Sequence, residues 1–218
     1  MKKVALITGG TRGIGYAVAR RFHRAGFEVF VVGRRERFRE FNYLRADVRN
    51  YEEVRRAVEE VVERSDGIDV LVASAGVAYV GRVEDTPVEA WKRLIDTNLS
   101  GVFYTVRAAL PHIRDGGHIF VLGSIASVRA FPGWAAYCAT KFGVYGFAQA
   151  LGEELKGRIK VTTVMPGAVD TDLWNGLAYV PPRERMMRAE DVAEAIFNAY
   201  ENGAWVRDLL LLPPHGIV

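Results

Sequence analysis

The chain has a single cysteine, Cys138, and only four histidines. With one cysteine no internal disulfide can form, which is typical of proteins in a reducing compartment. None of the histidines (His23, His112, His118 and His215) has the spacing of a metal site, so we expect each to be structural or solvated. The sequence therefore predicts neither a disulfide framework nor a bound metal.

Long hydrophobic runs and an excess of one charge are also missing. No apolar stretch reaches the roughly 18 residues that a membrane-spanning helix needs, and no cleavage site of small residues follows the short apolar run near the start. The 29 basic and 26 acidic residues leave a net charge of only +3. No basic run is interleaved with aromatic residues, which argues against nucleic acid as a partner. These absences predict a cytoplasmic protein that binds neither membrane nor nucleic acid.

Short apolar runs alternate with longer stretches of helical period. Strand-like runs cover Val4–Thr8, Glu28–Gly33, Val70–Ala73, Gly117–Gly123, Lys160–Met165 and Trp205–Leu212, with a weaker one at Asn42–Ala46. Helix-like stretches lie at 13–25, 51–64, 87–110, 134–156 and 190–201. Strands that are continuously apolar are typical of a parallel sheet buried on both faces. The pattern predicts a single doubly wound α/β domain over residues 1–218.

A glycine-rich turn, Thr8-Gly-Gly-Thr-Arg-Gly-Ile-Gly15, separates the first strand from the first helix. Glycines at positions 9, 13 and 15 permit a tight turn, close approach of the backbone and close packing of helix on strand. The helix that follows presents unpaired N–H groups and a positive dipole, which suit a pyrophosphate. The turn therefore predicts a dinucleotide site.

The end of the second strand indicates which dinucleotide binds. A carboxylate here would hold a ribose 2′-hydroxyl, but Gly33 is followed by Arg34 and Arg35, and Arg12 lies in the glycine turn. Guanidinium groups match a phosphate in geometry and charge. We therefore predict NADP(H) rather than NAD(H). Surface solvation accounts equally well for Arg37 and Arg39.

Tyr137 and Lys141 lie four residues apart, which places them on one face of the predicted helix 134–156. A nearby cation favours the phenolate, so we expect Lys141 to lower the pKa of Tyr137 from its usual ~10. Such a phenol can exchange a proton near neutral pH. Ser124 precedes it, and Asn98 occupies a helical stretch where asparagine is a poor choice, which indicates a kinked helix with a functional side chain.

With these motifs in this order, the chain resembles the short-chain dehydrogenase/reductase family. The resemblance runs from about Lys2 to Leu212. The residues that carry it are the glycine turn, Asp47-Val48, Ala75-Gly76, Asn98, Ser124, Tyr137-x3-Lys141 and Pro166-Gly167. It implies a Rossmann-like sheet of about seven parallel strands, a nicotinamide cofactor and a homo-oligomer (a dimer or tetramer). The family commonly has Asn-Asn-Ala-Gly where this chain has Ala73-Ser-Ala-Gly76, and because Ser74 can still hydrogen-bond we expect the turn to survive.

The same resemblance implies a role for each matching residue. Tyr137 would be the general acid in carbonyl reduction, and Lys141 would bind the nicotinamide ribose and tune Tyr137. Ser124 would hold the substrate oxygen, and Asn98 would support a water-linked proton path. The predicted cofactor-binding set is Gly9, Thr11, Arg12, Gly13, Ile14, Gly15, Arg34, Arg35, Asp47, Val48, Ala75, Gly76, Tyr137, Lys141, Pro166, Gly167, Val169 and Thr171. Within that set, Asp47 and Val48 would approach the adenine and Thr171 the carboxamide.

Substrate contacts are predicted from residues 77–80, 125–134 and a loop at 167–189. The aromatic residues there indicate a partly apolar wall; they are Phe131, Trp134, Trp174 and Tyr179. Ser127 is a second serine that can contact substrate. The face formed by residues 91–109 is interpreted as packing or dimer surface.

The predicted activity is NADPH-dependent, reversible reduction of a ketone or aldehyde, a small-molecule substrate. One alternative is a regulatory protein that senses the dinucleotide without catalysis; an NAD-dependent alcohol dehydrogenase is another. Nucleotide-sugar epimerisation is a third, and it usually goes with a larger C-terminal substrate region than this chain has. The presence of all four residues Asn98, Ser124, Tyr137 and Lys141 favours the enzyme.

Overall fold

A computed structural model of the chain describes residues 2–37 and 39–217 and contains a parallel sheet of seven strands in the order β3-β2-β1-β4-β5-β6-β7. The strands are β1 (Val4–Thr8), β2 (Glu28–Gly33), β3 (Asn42–Arg45), β4 (Ile68–Ala73), β5 (Ile113–Leu122), β6 (Lys160–Pro166) and β7 (Asp208–Leu211). The helices are α1 (Gly13–Arg24), α2 (Tyr51–Ser65), α3 (Val88–Leu94), α4 (Gly101–Ala109), α5 (Ala135–Glu154) and α6 (Ala189–Glu201). The predicted doubly wound α/β fold is confirmed. In the part of the chain that the structure describes, every helix is too short or too polar to cross a bilayer.

Helices cover both faces of the sheet, and the side chains of β1 alternate between two cores. Val4 and Leu6 pack in a cluster with residues of α2, α4 and α5. Ala5 and Ile7 pack in a second cluster with residues of α1 and α6. All four are fully buried, because successive side chains of a strand point to opposite faces of the sheet. This two-sided burial explains why the strand is an unbroken apolar run.

Five strands, β3 to β7, differ in extent from the sequence prediction, and β5 and β7 differ most. β5 begins at Ile113 rather than Gly117, because a register shift against β4 lets Ile113 pair with Ile68 before the regular pairing resumes. β7 covers only Asp208–Leu211, at the edge of the sheet. Trp205 lies outside this strand, and its indole N–H donates to the carbonyl of Val161 at 2.8 Å. Apolar character alone did not separate paired residues from residues that merely pack beside the sheet.

The predicted helix at 87–110 is interrupted in the middle. α3 ends at Leu94, a π-helical turn occupies Ile95–Ser100, and α4 begins at Gly101. Asn98 lies within this turn and is fully buried. π-turns inside helices are rare and frequent at functional sites. The irregularity predicted in this helix from Asn98 is therefore confirmed.

The link after β2 contains no helix over its described residues and leads directly into β3. Residues 167–189 are also irregular, with single 3₁₀ turns at Asp172–Trp174 and Arg183–Arg185. An isolated bridge between Val169 and Met187 holds the two ends of this second segment together. Both segments leave the carboxyl edge of the parallel sheet, and both therefore flank the same cleft.

Candidate active site

A cavity of about 830 Å³ opens at the carboxyl ends of the strands. It lies where the sheet order reverses between β1 and β4, which is the usual ligand crevice of an open α/β sheet. Every residue of the predicted cofactor-binding set lines this cavity, and so does Ser124. Asn98 does not line it. Strand order therefore brings together residues that are far apart in the sequence.

The glycine turn is closed against the end of β4. Gly9 has a φ of +69°, and a Cβ there would lie 2.8 Å from the backbone of Ala75. A Cβ on Gly15 would lie 2.5 Å from the carbonyl oxygen of Gly9. The Ser74 hydroxyl donates to the carbonyl of Thr8 at 2.6 Å. The glycine turn thus has room for backbone only. The turn after β4, which packs against it, is retained with Ser74 in place of the family's asparagine.

The amino end of α1 is open toward the cavity. Arg12 precedes the helix in an extended conformation, and its side chain makes no capping hydrogen bond. The first-turn residues Gly13, Ile14 and Gly15 line the cavity. Uncapped N–H groups at a helix amino end attract anions. The residues present therefore fit the diphosphate of a dinucleotide.

One end of the cavity, the arginine end, is lined by Arg12, Arg34, Arg35, Arg37, Arg45, Arg49 and Arg93. Arg49 forms an ion pair with Asp47 at 2.6 Å, which lowers the pKa of that carboxyl. Within residues 2–37 and 39–217, Arg34 and Arg35 form no ion pair. Unpaired guanidinium groups beside a diphosphate site suit an additional phosphate.

Arg37 was open to interpretation as a surface residue, but it lines the cavity and pairs with Asp172 at 3.5 Å. Arg39 lies outside the cavity lining. Arg45 was missed because it belongs to the weakest predicted strand. The β2–β3 register places it beside Gly33, the residue that precedes Arg34 and Arg35.

Ser124 is held at the end of β5 by a reciprocal pair of hydrogen bonds. Its hydroxyl accepts from the N–H of Ala126 at 3.1 Å, and the hydroxyl of Ser127 accepts from the N–H of Ser124 at 3.2 Å. The predicted substrate contact of Ser127 is wrong, because Ser127 is buried and does not line the cavity. Its hydroxyl instead fixes the orientation of Ser124.

Tyr137 and Lys141 lie in the first two turns of α5, and both are buried. Burial raises the pKa of Tyr137 to about 12, and a hydrogen bond with the Ser124 hydroxyl acts in the opposite direction. Burial also lowers the pKa of Lys141 to about 8. The predicted lowering of the Tyr137 pKa by Lys141 is wrong for this structure. The loss of hydration outweighs the neighbouring cation, whose Nζ donates to the carbonyl of Leu122 at 2.7 Å and lies 5.7 Å from the Tyr137 ring centre.

Asn98 connects the turn after β4 to α5. Its Oδ1 accepts from the N–H of Val77 at 2.8 Å, and its Nδ2 donates to the carbonyl of Val77 at 2.9 Å. The second Nδ2 hydrogen goes to the hydroxyl of Thr140 at 3.2 Å. Both amide hydrogens are therefore used in positioning the backbone beside the cavity. The water-linked proton path stays a prediction.

The opposite end, the aromatic end, is lined by Phe131, Trp134, Trp174 and Tyr179. The Trp134 ring packs edge-on against Tyr137 at 5.4 Å and against Trp174 at 5.9 Å between ring centres. The Trp174 indole N–H donates to the carbonyl of Val169 at 2.9 Å. Of the predicted segment 77–80, only the first residue, Val77, lines the cavity.

Comparison with known proteins shows which family has this combination of a glycine turn, polar strand ends and paired side chains. The sequence profile of the family described as short chain dehydrogenase matches residues 3–179. This chain belongs to the short-chain dehydrogenase/reductase family. An uncharacterized oxidoreductase of Staphylococcus aureus strain MW2 is 33% identical to it over 210 residues, which cover 90% of each chain. One from Staphylococcus epidermidis is 31% identical over 210 residues, 91% of this chain and 90% of the relative.

Solved structures of dehydrogenases superimpose on almost the entire chain. An alcohol dehydrogenase from the archaeon Thermococcus sibiricus, complexed with 5-hydroxy-NADP, has a TM-score of 0.88 at 28% identity and covers 97% of this chain and 96% of its own. A short-chain dehydrogenase from Burkholderia cenocepacia J2315, in complex with NADP, has a TM-score of 0.85 at 28% identity and covers 96% of each chain. The protein is an oxidoreductase of the short-chain dehydrogenase/reductase type.

Proposed function

We propose that this short-chain dehydrogenase catalyses the NADPH-dependent, reversible reduction of a ketone or aldehyde to an alcohol. The observation that carries the proposal is the meeting of Ser124, Tyr137 and Lys141 in the wall of a cavity whose other walls suit a phosphorylated dinucleotide. A dinucleotide sensor without catalysis has no need of a hydroxyl pair placed against a buried lysine. The arrangement therefore favours the enzyme.

The dinucleotide, when bound, supplies a hydride to the carbonyl carbon. The hydroxyls of Ser124 and Tyr137 hydrogen-bond to the carbonyl oxygen, and Tyr137 donates the proton to it. Because its pKa is about 12, Tyr137 carries that proton throughout the neutral range. Lys141 is positively charged below its pKa of about 8, and its charge then stabilises the phenolate that Tyr137 becomes.

The residues that would hold the cofactor follow from the shape and charge of the cavity. The glycine turn and the amino end of α1 would bind the diphosphate, and Arg34 and Arg35 would bind the 2′-phosphate. Asp47 and Val48 would lie at the adenine, and Thr171 at the carboxamide. The complexes of the two neighbours with NADP and 5-hydroxy-NADP support this choice of cofactor.

The cytoplasmic location and the homo-oligomer stay predictions. The helical face 91–109 carries Trp91 and Phe103, which are 44% and 43% exposed in the single chain. A second copy of the chain would cover such side chains. Analytical ultracentrifugation of the purified protein tests this part of the proposal.

The test of the activity is a panel of ketones, aldehydes and alcohols, followed through the absorbance of NADPH. Tyr137→Phe should lower turnover by about 10²–10⁴-fold, because the proton donor is lost, and should leave the Kd for NADPH nearly unchanged. The control is Tyr145→Phe, two turns further along α5 and outside the cavity lining. Full activity in Tyr137→Phe contradicts the mechanism, and NADPH binding without turnover of any compound favours the sensor.

A further inference from the structure

Charge is distributed unequally between the two ends of the cavity. The seven arginines of the arginine end come from the glycine turn, from the segment after β2, from the end of β3 and the segment that follows it, and from α3. Among the described residues, the arginines near the aromatic end are Arg37, which belongs to the arginine end, and Arg129, which lies 5.6 Å from the Phe131 ring centre but outside the cavity lining. The acidic side chain of the aromatic end, Asp172, is already paired with Arg37. The cation of this end, Lys141, is buried and donates to the carbonyl of Leu122.

The walls of the aromatic end offer mostly ring faces and aliphatic carbon. Leu173 and Leu177 join Trp134 in a partly buried apolar cluster around Tyr137. The indole N–H of Trp174 is occupied by the carbonyl of Val169. The hydroxyls of Ser124 and Tyr137 therefore face a space in which few other polar groups are free to bind a ligand.

The chemistry of these walls excludes several kinds of ligand. A carboxylate or phosphate placed here would lose its hydration, and the cations that line this part of the cavity, Lys141 and Arg37, already have partners. Each hydroxyl of a sugar would need its own partner, and an unpaired one opposes binding. An apolar body gains affinity instead, at about fourfold for each buried methylene. A flat ring of the ligand can also pack edge-on against Trp134, as the neighbouring aromatic rings do.

We propose that the substrate is an uncharged carbonyl compound with an aromatic or fused-ring body, rather than a sugar, a carboxylate or a phosphorylated thioester. This inference rests on the proposed function, since it concerns the same cavity and the same reacting oxygen. In it, Ser124 and Tyr137 bind the carbonyl oxygen, and the ring lies between Trp134, Trp174 and Tyr179.

The first experiment compares two ketones that differ by one carboxylate group, 2-acetylnaphthalene and 6-acetyl-2-naphthoate, with NADPH as reductant. The neutral ketone should have a kcat/KM about 100-fold higher, because the carboxylate meets only cations that already have partners. An equal or reversed ratio overturns the inference. Binding of the corresponding alcohols, followed by quenching of tryptophan fluorescence, gives the same comparison without turnover. Loss of all turnover with preferential binding of the neutral alcohol contradicts the proposed function and supports the inference.

The second experiment moves a cation into the aromatic end. Tyr179 lines the cavity and is 54% exposed, so Tyr179→Arg should fold normally. It should raise the kcat/KM ratio of the carboxylate over the neutral ketone by about tenfold. The matched control is Val180→Arg, since Val180 is 39% exposed and outside the cavity lining. Equal ratios in the two variants overturn the assignment of this end to the substrate.

Discussion

The arginine end and the aromatic end share one cavity but differ in charge and in the structure that supports them. Arg34 follows β2 and Arg45 ends β3, and the β2–β3 register places Arg45 beside Gly33, the residue before Arg34. Trp134 precedes α5, and Trp174 belongs to an irregular segment. The comparison shows strand ends holding the phosphate-binding groups and loops holding the apolar groups.

The supports of the two ends have different consequences for binding. A register of backbone hydrogen bonds leaves little freedom at the end of a strand. The irregular segment is held by individual contacts instead, such as the hydrogen bond from Trp174 to Val169 and the ion pair between Arg183 and Asp170. Loops placed on a rigid scaffold are where specificity usually varies. We therefore expect single substitutions in loops to change the choice of substrate more easily than the choice of cofactor.

Removing the charge of the arginine end should have the largest effect on binding. The double variant Arg34→Ser/Arg35→Ser should weaken NADPH binding by at least about 100-fold, because each charge-assisted hydrogen bond contributes roughly 1.5–3 kcal/mol. NADH lacks the 2′-phosphate, and its Kd should stay within about twofold. Isothermal titration calorimetry with both cofactors gives the two values. Arg39→Ser, outside the cavity lining, is the control, and equal losses for NADPH and NADH would contradict the assignment.

Removing the Asn98 hydrogen bonds that connect the turn after β4 to α5 should destabilise the fold. Asn98→Ala leaves the N–H and the carbonyl of Val77 without their partner. An unpaired buried backbone group costs about 1–3 kcal/mol, so the free energy of unfolding should fall by about 2 kcal/mol, or about 30-fold in the equilibrium constant. Urea denaturation measures this free energy of unfolding. Asn198→Ala on the exposed face of α6 should change it little, and an equally stable Asn98→Ala would show that these bonds contribute nothing.

Tyr137 lies between the two ends of the cavity. The two directions of the reaction should differ in their pH dependence, because each needs Tyr137 in a different protonation state. Alcohol oxidation needs the phenolate, and with a pKa of about 12 its fraction rises about tenfold per pH unit below that value. The kcat/KM for oxidation should therefore increase by up to about tenfold per pH unit between about pH 7 and 9. Reduction needs the protonated phenol and the charge of Lys141, so its kcat/KM should change little below about pH 8 and fall above it as Lys141 loses its proton. An oxidation rate independent of pH would contradict the raised pKa.

The ion pair between Arg37 and Asp172 links the two ends directly, and its loss should have the smallest effect. Both side chains are half-exposed, so water and salt screen the attraction to less than about 1 kcal/mol. Asp172→Asn should raise the KM for the carbonyl substrate by at most about fivefold and leave kcat unchanged. Glu184→Gln is the control in the same segment. A larger effect that persists at high salt would mean that Asp172 contacts the ligand itself.

Sequence patterns predicted the scaffold of the arginine end well. The runs Val4–Thr8 and Glu28–Gly33 are strands with those bounds, because residues buried on both faces must be apolar throughout. Polar or glycine residues that follow such runs meet at one edge of a parallel sheet. The predicted cofactor-binding set therefore lines one cavity, even though its members span most of the chain.

Burial and local pairing were much less visible in the sequence. Spacing places Lys141 beside Tyr137, but it does not show that burial raises the phenol pKa. Ser127 and Ser124 are the same residue type three positions apart, yet one turns inward and the other lines the cavity. Arg45 acquires its place only through the register of β3 against β2. Each of these properties depends on neighbours from distant parts of the chain.

By itself the sequence determined the α/β architecture, the glycine turn and the types of group available for chemistry, because these follow from periodicity, backbone freedom and side-chain chemistry along a local stretch. The tertiary structure decided which arginines and aromatic rings share a cavity, which serine is exposed to it, and how strongly each titratable group is desolvated. Those outcomes depend on the packing of strands and helices that are remote in sequence, since electric fields and the exclusion of water act through space rather than along the chain.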